Sequence, residues 1–447
     1  MKQYGSSNAD GQFKSENADK AKYMKIKVRE EKYENVLALK PEKRLKPKKP
    51  SRFIRWLLKT ASAAELKKTN FSYTEERTEL LAKNEPCVFL MNHSSFIDLK
   101  IAATALYPRP FNIVCTSDGF VGKNRFMRSL GCIPTNKFVS DPLLVKDILY
   151  SLRKLKSSVL IYPEASYSFD GTATPLPDSV GKLVKMANVP LVMIKTEGAF
   201  IHDPLYNGLR PRNTDVSASI KVLWTKEELE KVSVDEIKQK LIEEFSFDNF
   251  KSQFERGVSI TESFRADGLN RVLYKCASCG AEGKTFGKGI TVECSACGKK
   301  YTLTESGKLR AEDGETRFEF VSDWYNWERE CVKKEILDGV YKLDVKVRIC
   351  VLKGTKCLYG VGEGRLRHDE NGFVLTGLDG KLEYRQSPES SYSLYADYFW
   401  YEIGDMICIG EGGIMYYCFP FDCGDVVAKT RLAAEEMYIL KRQRLIK

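Results

Sequence analysis

The sequence that decides the fold lies between Cys87 and Leu106. It reads Cys-Val-Phe-Leu-Met-Asn-His-Ser-Ser-Phe-Ile-Asp-Leu-Lys-Ile-Ala-Ala-Thr-Ala-Leu. A short apolar run ends at Asn92, and apolar side chains then recur at helical spacing from Leu99 onward. The pattern predicts a buried strand followed by a helix, with His93 at the junction between them.

Two titratable side chains accompany this junction. Ser95 is a suitable N-cap for the predicted helix, and Asp98 would then lie in the first turn, where the helix dipole favours a carboxylate. A histidine paired with a carboxylate can deprotonate a hydroxyl at neutral pH, because an imidazole titrates at about 6.5 and the acid fixes its tautomer. Ser-x-x-Asp is also an ordinary capping box, so this pair alone does not separate a structural role from a catalytic one.

Three further motifs follow downstream. They are Gly131-Cys-Ile-Pro-Thr-Asn-Lys137, Tyr162-Pro-Glu-Ala-Ser-Tyr-Ser168 and the apolar segment Val189-Pro-Leu-Val192. Together with Asn-His-x4-Asp at 92–98, they resemble the glycerolipid acyltransferases, specifically the 1-acylglycerol-3-phosphate (lysophospholipid) acyltransferase family. The resemblance covers about residues 50–260. It implies an enzyme of phospholipid biosynthesis, an O-acyltransferase, with His93 and Asp98 as its catalytic residues.

The resemblance also implies substrate-binding roles. In this family the second and third motifs bind the phosphate and glycerol of the acceptor. By their positions in these motifs, Lys137, Glu164 and Ser166 would have these binding roles here. Where the family has Gly-Thr-Arg, this chain has Ala-Ser-Tyr at 165–167, so an arginine is missing. Either the acceptor is not lysophosphatidic acid, or another base compensates, with Lys123, Arg125 and Arg210 as candidates. Structural alternatives are a solvated Lys137 and a Glu164 carboxylate bonded to the loop behind Pro163.

The implied reaction moves a fatty acyl group from the thioester of acyl carrier protein or coenzyme A to the hydroxyl of a lysophospholipid. The expected acceptor is 1-acylglycerol-3-phosphate. Neutral His93, oriented by Asp98, would take the proton from the acceptor hydroxyl as its oxygen attacks the thioester carbonyl. The sequence contains no Gly-x-Ser-x-Gly elbow, so we expect no acyl-enzyme.

The composition favours a cytoplasmic protein of several domains with an acidic partner. The 447 residues suffice for about three domains of roughly 150 residues each. The net charge of +11 favours an anionic membrane or nucleic acid. No apolar run reaches the roughly 18 residues of a membrane span, and no apolar signal core follows Met1. Thirteen cysteines, four of them in Cys-x2-Cys pairs, indicate a reducing compartment.

The N-terminal region combines basic and apolar residues. Residues 1–50 are predicted to be a basic, polar tail, of which residues 1 to about 42 form a mobile segment or a loosely attached helix. The acyltransferase domain then spans residues 51–262 and begins with the apolar side chains Phe53, Ile54, Trp56, Leu57 and Leu58 inside a basic run from Lys43 to Lys59. This pattern favours an amphipathic helix on an anionic membrane surface, peripheral on the cytoplasmic face. The alternative is that these apolar residues pack on the catalytic domain.

The rest of this domain alternates short apolar runs with helical patterns between residues 111 and 194. Such alternation predicts an α/β layered domain whose ligands gather at one edge of the sheet.

Residues 265–305 carry the pairs Cys276-x2-Cys279 and Cys294-x2-Cys297, and a glycine follows each pair. Four thiolates at this spacing make a closed tetrahedral site, so we expect a zinc ribbon with structural Zn²⁺. Reduced core cysteines or a redox pair are the alternatives.

Residues 306–447 are predicted to form a mostly β domain. Apolar and polar side chains alternate from Tyr341 to Val351, and Asn371-Gly372 and Asp379-Gly380 supply turns. A helix from about Val426 would close the domain, a layout similar to a pleckstrin-homology-like domain. His368, in a charged segment, is expected to be a surface residue.

Two functions from different classes follow. The first is a membrane-surface acyltransferase with an appended zinc ribbon and β domain. The second is a catalytically inactive acyltransferase fold that binds nucleic acid or a protein partner through the ribbon and the basic segment. Nucleic acid is disfavoured because no interleaved aromatic and basic surface accompanies the cysteines.

Overall fold

The computed structural model describes residues 26–446, so residues 1–25 of the predicted tail lie outside it. Strand β1 (Val28–Glu30) pairs in parallel with residues 358–360 of the C-terminal sheet. Helix α1 (Tyr33–Leu37) buries two of its side chains in the core of the same sheet. The start of the described chain is therefore part of the C-terminal domain.

The next segment is fixed to the acyltransferase domain by charge. Arg44 forms ion pairs with Asp141 and with Asp147. The prediction of a mobile segment or a loosely attached helix is therefore wrong for residues 26–42, because strand pairing and apolar burial hold this part of the chain in place.

An α/β layered domain follows, as the sequence predicts. In chain order its elements are α2 (Arg52–Lys68), β2 (Ser72–Glu76), β3 (Val88–Met91), α3 (Asp98–Ala105), β4 (Phe111–Thr116), α4 (Asn124–Ser129), β5 (Cys132–Thr135), α5 (Pro142–Arg153), β6 (Ser158–Ile161), α6 (Ser179–Ala187), β7 (Leu191–Glu197), α7 (Ala199–His202) and β8 (Ser217–Trp224). Asp141 caps α5, since its carboxylate accepts from the backbone N–H groups of Leu143 and Leu144.

The strand order of this sheet is β2-β8-β7-β3-β6-β4-β5. Strands β7 to β5 are parallel, whereas β8 runs antiparallel to β7. All residues of β3 and β6 are buried, because apolar layers cover both faces. Alternate side chains of β3 enter different clusters, Phe89 and Met91 on one face and Val88 and Leu90 on the other.

The motif residues lie at one edge of this sheet. His93 follows β3 and Glu164 follows β6, and these strands are parallel neighbours. Lys137 follows β5, two strands beyond β6. Since the carboxyl ends of parallel strands meet at the same edge, the first three motifs converge there.

Three helices and a small sheet come next. The helices are α8 (Lys226–Lys231), α9 (Val234–Glu244) and α10 (Asn249–Glu255), and a capping box of Ser233 with Glu236 begins α9. The antiparallel sheet contains β9 (Thr285–Lys288), β10 (Thr291–Cys294), β11 (Lys300–Leu303) and β12 (Leu309–Ala311).

The C-terminal part is strand-rich with a closing helix, as predicted. Its elements are α11 (Val321–Leu337), β13 (Leu343–Lys353), β14 (Leu358–Asp369), β15 (Gly372–Gly377), β16 (Leu382–Gln386), β17 (Tyr395–Trp400), β18 (Gly404–Glu411), β19 (Ile414–Phe421) and α12 (Val427–Arg442). The strand order is β16-β15-β14-β13-β19-β18-β17, with β1 paired to β14. Likeness to a pleckstrin-homology domain stays a prediction.

His368 is buried, in contrast to the prediction that it is a surface residue. It lies in β14 and is 1% exposed, its Nδ1 is 3.0 Å from the Tyr341 hydroxyl, and its ring stacks on Phe373 with centroids 3.8 Å apart. Burial lowers the pKa of His368 to about 3. The prediction of a surface residue is wrong because strand alternation turns this side chain towards the core.

The C-terminal sheet packs directly on the acyltransferase domain. Val121 and Phe138 of that domain belong to the same apolar cluster as Tyr395 and Tyr417 of the sheet. The buried carboxylate of Asp118 accepts hydrogen bonds from both tyrosine hydroxyls, at 2.7 and 3.1 Å. The two domains therefore share a core beside the second motif.

A buried ion cluster joins α11 and α12 to the third motif. Glu435 accepts from Arg329 at 2.6 Å and from Arg431 at 3.1 Å. Arg431 also donates to the carbonyl of Tyr167 at 3.4 Å. Removing one partner of a buried ion pair costs about 3–5 kcal/mol, so this cluster holds the motif firmly against the C-terminal helices.

Candidate functional site

One carboxylate oxygen organises the turn after β3. Asp98 Oδ2 accepts from the backbone N–H groups of Ser94 at 2.8 Å and Ser95 at 3.1 Å, and from His93 Nδ1 at 3.0 Å. Asp98 is 1% exposed and is the first residue of α3. The prediction of Ser95 as N-cap is wrong, because the Asp98 carboxylate binds the preceding backbone amides and the helix begins three residues later.

The His93 imidazole has one bound and one free nitrogen. Since Nδ1 donates to the carboxylate of Asp98, Nε2 is left as an acceptor that this contact does not occupy. The ring packs on Tyr162 and Tyr167, with centroids 4.1 and 4.3 Å away, and remains 19% exposed. Burial lowers the pKa of His93, although the hydrogen bond and charge of Asp98 oppose the change. The imidazole is therefore neutral at pH 7, as a general base must be.

Glu164 fixes the third motif to the first. Its Oε2 accepts from the backbone N–H of His93 at 2.8 Å, and its Oε1 accepts from the backbone N–H of Thr174 at 2.9 Å. Burial raises the pKa of Glu164 to about 7. The neighbouring Ser166 is also buried, and its Oγ has no hydrogen-bond partner within the described chain. Glu164 is thus engaged by protein groups, whereas Ser166 keeps a free hydroxyl.

The backbone between these two residues is strained. Ala165 occupies the position of the family's glycine and has a φ of 58°, in the left-handed region. A residue with a Cβ pays about 1–2 kcal/mol for this conformation. The loop keeps the shape for which glycine is suited, because contacts elsewhere hold it.

Lys137 faces the C-terminal domain. It is half-buried, and its Nζ lies 4.2 Å from the centroid of the Tyr395 ring. Burial lowers the pKa of Lys137, and the negative charges of Asp397 and Asp118 oppose this change. The alternative prediction that Lys137 is a solvated surface residue is therefore wrong.

The three bases proposed to compensate for the missing arginine lie in different surroundings. Arg210 forms an ion pair with Asp267 at 2.8 Å, and Arg125 is exposed on α4. Lys123 is half-buried, and the charge of Asp118 opposes the lowering of its pKa by burial. Neither Arg125 nor Arg210 contacts the His93 imidazole.

Sequence reasoning missed the aromatic and acidic side chains around the imidazole. Tyr167 was visible only as a departure from the motif, and the sequence did not indicate that its ring would contact His93. None of the sequence motifs includes Asp118, Tyr395 or Asp397. The last two become neighbours of Lys137 only when the C-terminal sheet packs on the acyltransferase domain.

A cavity of about 380 Å³ lies behind the third motif. Its wall includes Phe169, Asp170 and Thr174 from the motif loop and Arg329 and Arg431 from the C-terminal helices. His93 does not line this cavity, so it is separate from the imidazole.

The four predicted zinc ligands come together. The Sγ atoms of Cys276, Cys279, Cys294 and Cys297 all lie within 4.8 Å of one another. Gly280 and Gly298 have φ of 74° and 73° and so provide the left-handed turns after each pair. The cluster can hold a metal ion, and a set of four thiolates suits Zn²⁺.

Comparison with known proteins agrees with the motifs. Residues 72–195 match the Acyltransferase family model. A comparison with curated protein sequences gives no match. Among solved structures, the chain is similar to the 1-acyl-sn-glycerophosphate (LPA) acyltransferase PlsC from Thermotoga maritima, with 16% identity and a TM-score of 0.32, over 43% of this chain and 79% of that chain. Residues 72–195 of this chain, which include all four motifs, therefore match an acyltransferase domain.

Proposed function

We propose that this protein transfers a fatty acyl group from an acyl thioester to the hydroxyl of a lysophospholipid, with His93 as general base and Asp98 as the residue that orients it. The observation that carries the proposal is the 3.0 Å contact between Nδ1 and Oδ2, which leaves Nε2 unpaired. The thioester belongs to acyl carrier protein or to coenzyme A.

The proposed reaction is a direct transfer. Nε2 of His93 takes the proton of the acceptor hydroxyl while the hydroxyl oxygen bonds to the thioester carbonyl carbon. The tetrahedral intermediate then breaks the carbon–sulfur bond, and the departing thiolate takes the proton from the imidazolium. Asp98 stabilises that imidazolium and keeps the ring in one tautomer.

The resemblance implies 1-acylglycerol-3-phosphate as the reference acceptor. In that assignment Lys137 contacts the phosphate and Ser166 the glycerol, while Glu164 holds the loop that carries Ser166. The free Oγ of Ser166 and the cation at Lys137 support these roles.

Helix α2 supports the proposed location on an anionic membrane surface. Its side chains Phe53, Trp56 and Leu57 are 64, 49 and 45% exposed, whereas Ile54 and Leu58 of the same helix are half-buried. Basic residues lie among them, which suits an anionic interface. Within residues 26–446, no helix combines the length and apolar character needed to cross a bilayer.

The reaction can be tested with acyl carrier protein and coenzyme A thioesters and a panel of lysolipids that includes 1-acylglycerol-3-phosphate. We expect a diacyl product, and His93→Ala should lower turnover by about 10²- to 10⁴-fold because the general base is lost. Lipid analysis of the product gives the measurement. If the wild type and the variant are equally inert while the protein retards DNA or RNA in a gel, the binding-protein alternative replaces this proposal.

The protonation state of His93 can be followed by NMR, because the chain has three histidines. The His93 signals should titrate below the ordinary value of about 6.5, so the base form persists to lower pH and activity falls only below it. Asp98→Asn should lower the midpoint further, since the carboxylate favours the imidazolium. A midpoint at or above the ordinary value, or an upward shift in Asp98→Asn, would contradict the burial argument.

Membrane binding can be tested by co-sedimentation with anionic vesicles. Burying an exposed apolar side chain of this size contributes about 1.5–3 kcal/mol. Replacing Phe53, Trp56 and Leu57 by serine should therefore weaken binding by more than about tenfold. The matched control replaces the exposed Phe286 and Ile290 of the cysteine-bearing sheet by serine. Equal binding of the two variants would exclude α2 as the membrane-contacting element.

The metal can be tested by elemental analysis of the purified chain. We expect about one zinc per chain, because four thiolates complete one tetrahedral site. The double variant Cys276→Ser/Cys294→Ser should lose zinc and unfold at lower denaturant concentration. Cys423→Ser, at an exposed cysteine outside the cluster, is the matched control. A folded wild type without metal would refute the structural zinc.

A further inference from the structure

The C-terminal sheet reaches the acceptor side of the site through β17. The Tyr395 ring lies 4.2 Å from Lys137 Nζ, and the Tyr395 hydroxyl donates to Asp118 at 2.7 Å. The Trp400 indole N–H in turn donates to the Tyr395 hydroxyl at 3.0 Å. The tyrosine that touches Lys137 is thus fixed by hydrogen bonds from both domains.

Asp397 lies on the same face of β17 as Tyr395. Alternate side chains of a strand point to the same face, and the pairing of 395–397 with β18 is regular. One Asp397 oxygen accepts from the backbone N–H of Tyr398 at 2.9 Å. Burial raises the pKa of Asp397 to about 7, and Lys137 opposes this change, which is consistent with a carboxylate close to that ammonium.

These groups form a partly open cluster. His93, Tyr167, Lys137, Asp397 and Tyr401 are each half-buried, whereas the residues that flank them on the strands are mostly buried. Burial raises the pKa of Tyr167 and of Tyr401, and the negative charge of Asp397 adds to the rise in both. The cluster combines one cation, one carboxylate and several aromatic faces.

The charges here do not suit a phosphate monoester. Such a group carries about −1.5 to −2 at pH 7. The family's arginine is Tyr167 in this chain, and Arg431 is 2% exposed and paired with Glu435. Lys137 is left as the cation facing this cluster, with Asp397 and Asp118 near it.

We propose that the C-terminal domain forms one wall of the acceptor site and that Asp397 selects a zwitterionic headgroup, a phosphodiester that also carries an ammonium. The phosphodiester anion pairs with Lys137, and the ammonium lies between the Asp397 carboxylate and the tyrosine rings, which attract cations. Such a headgroup offers an anion to Lys137 and a cation to Asp397, and it adds no net charge to the site. The inference rests on the proposed function, because it concerns the acceptor of that reaction.

Binding without an acyl donor tests the inference apart from catalysis. The full chain is titrated calorimetrically with two short-chain lysolipids below their micellar concentrations, one with an ethanolamine phosphodiester headgroup and 1-acylglycerol-3-phosphate. The ethanolamine lipid should bind at least about tenfold more tightly, because Asp397 repels the monoester. Asp397→Asn keeps the acceptor for the Tyr398 N–H and should reduce that ratio by about tenfold. Asp422→Asn, an exposed carboxylate of the same domain, should leave the ratio unchanged.

Three results would overturn the inference: equal or tighter binding of the monoester, an unchanged ratio in Asp397→Asn, or binding of neither lipid. Failure of the proposed function looks different. In that case the ratio responds to Asp397→Asn as expected, but the wild type forms no diacyl product from either lysolipid when a thioester is supplied.

Discussion

A single buried oxygen, Oδ2 of Asp98, accepts three hydrogen bonds and so holds the first motif in one conformation. Two of the donors are backbone amides that would otherwise be unpaired at the end of β3, and the third is the imidazole itself. Glu164 adds a second connection by accepting from the backbone N–H of His93. The first and third motifs are therefore one hydrogen-bonded unit across two neighbouring parallel strands. The geometry of the His93–Asp98 pair is therefore set by the sheet edge rather than by one loop.

The C-terminal domain is joined to this unit rather than merely appended to it. The segment between β4 and α5 carries Lys137, and it shares its apolar core with the C-terminal sheet. Arg431 on α12 supports the third motif through the carbonyl of Tyr167. Because both contacts are buried, displacement of the C-terminal domain would leave polar and apolar groups of the acyltransferase domain uncovered. The electrostatics of the acceptor side thus depend on residues more than two hundred positions apart in the chain.

Sequence patterns predicted the features that depend only on residues close together in the chain. The period of apolar residues gave the strands and helices of the α/β domain, and the two Cys-x2-Cys pairs gave the sulfur cluster. The incorrect and missing predictions concern features that depend on how the chain packs in three dimensions. Ser95 was assigned as a cap because the sequence does not show that Asp98 would capture its amide. β1 pairs with an edge formed about 330 residues later, and burial of His368 depends on the face that β14 turns to the core. Tyr395 and Asp397 reach the site only through domain packing.

The altered third motif shows which feature of the family site has changed. Ala165 replaces a glycine yet keeps the left-handed backbone, so the loop retains its shape despite the strain. Tyr167 replaces an arginine, and its ring contacts the imidazole instead of presenting a charge. Arg431 on α12 also brings a guanidinium to this loop. It forms an ion pair with Glu435 and donates to the backbone carbonyl of Tyr167. The pairing of His93 with Asp98 is therefore retained while the positive charge beside the third motif is reduced, which is the expected combination if the proposed reaction is kept and the headgroup differs.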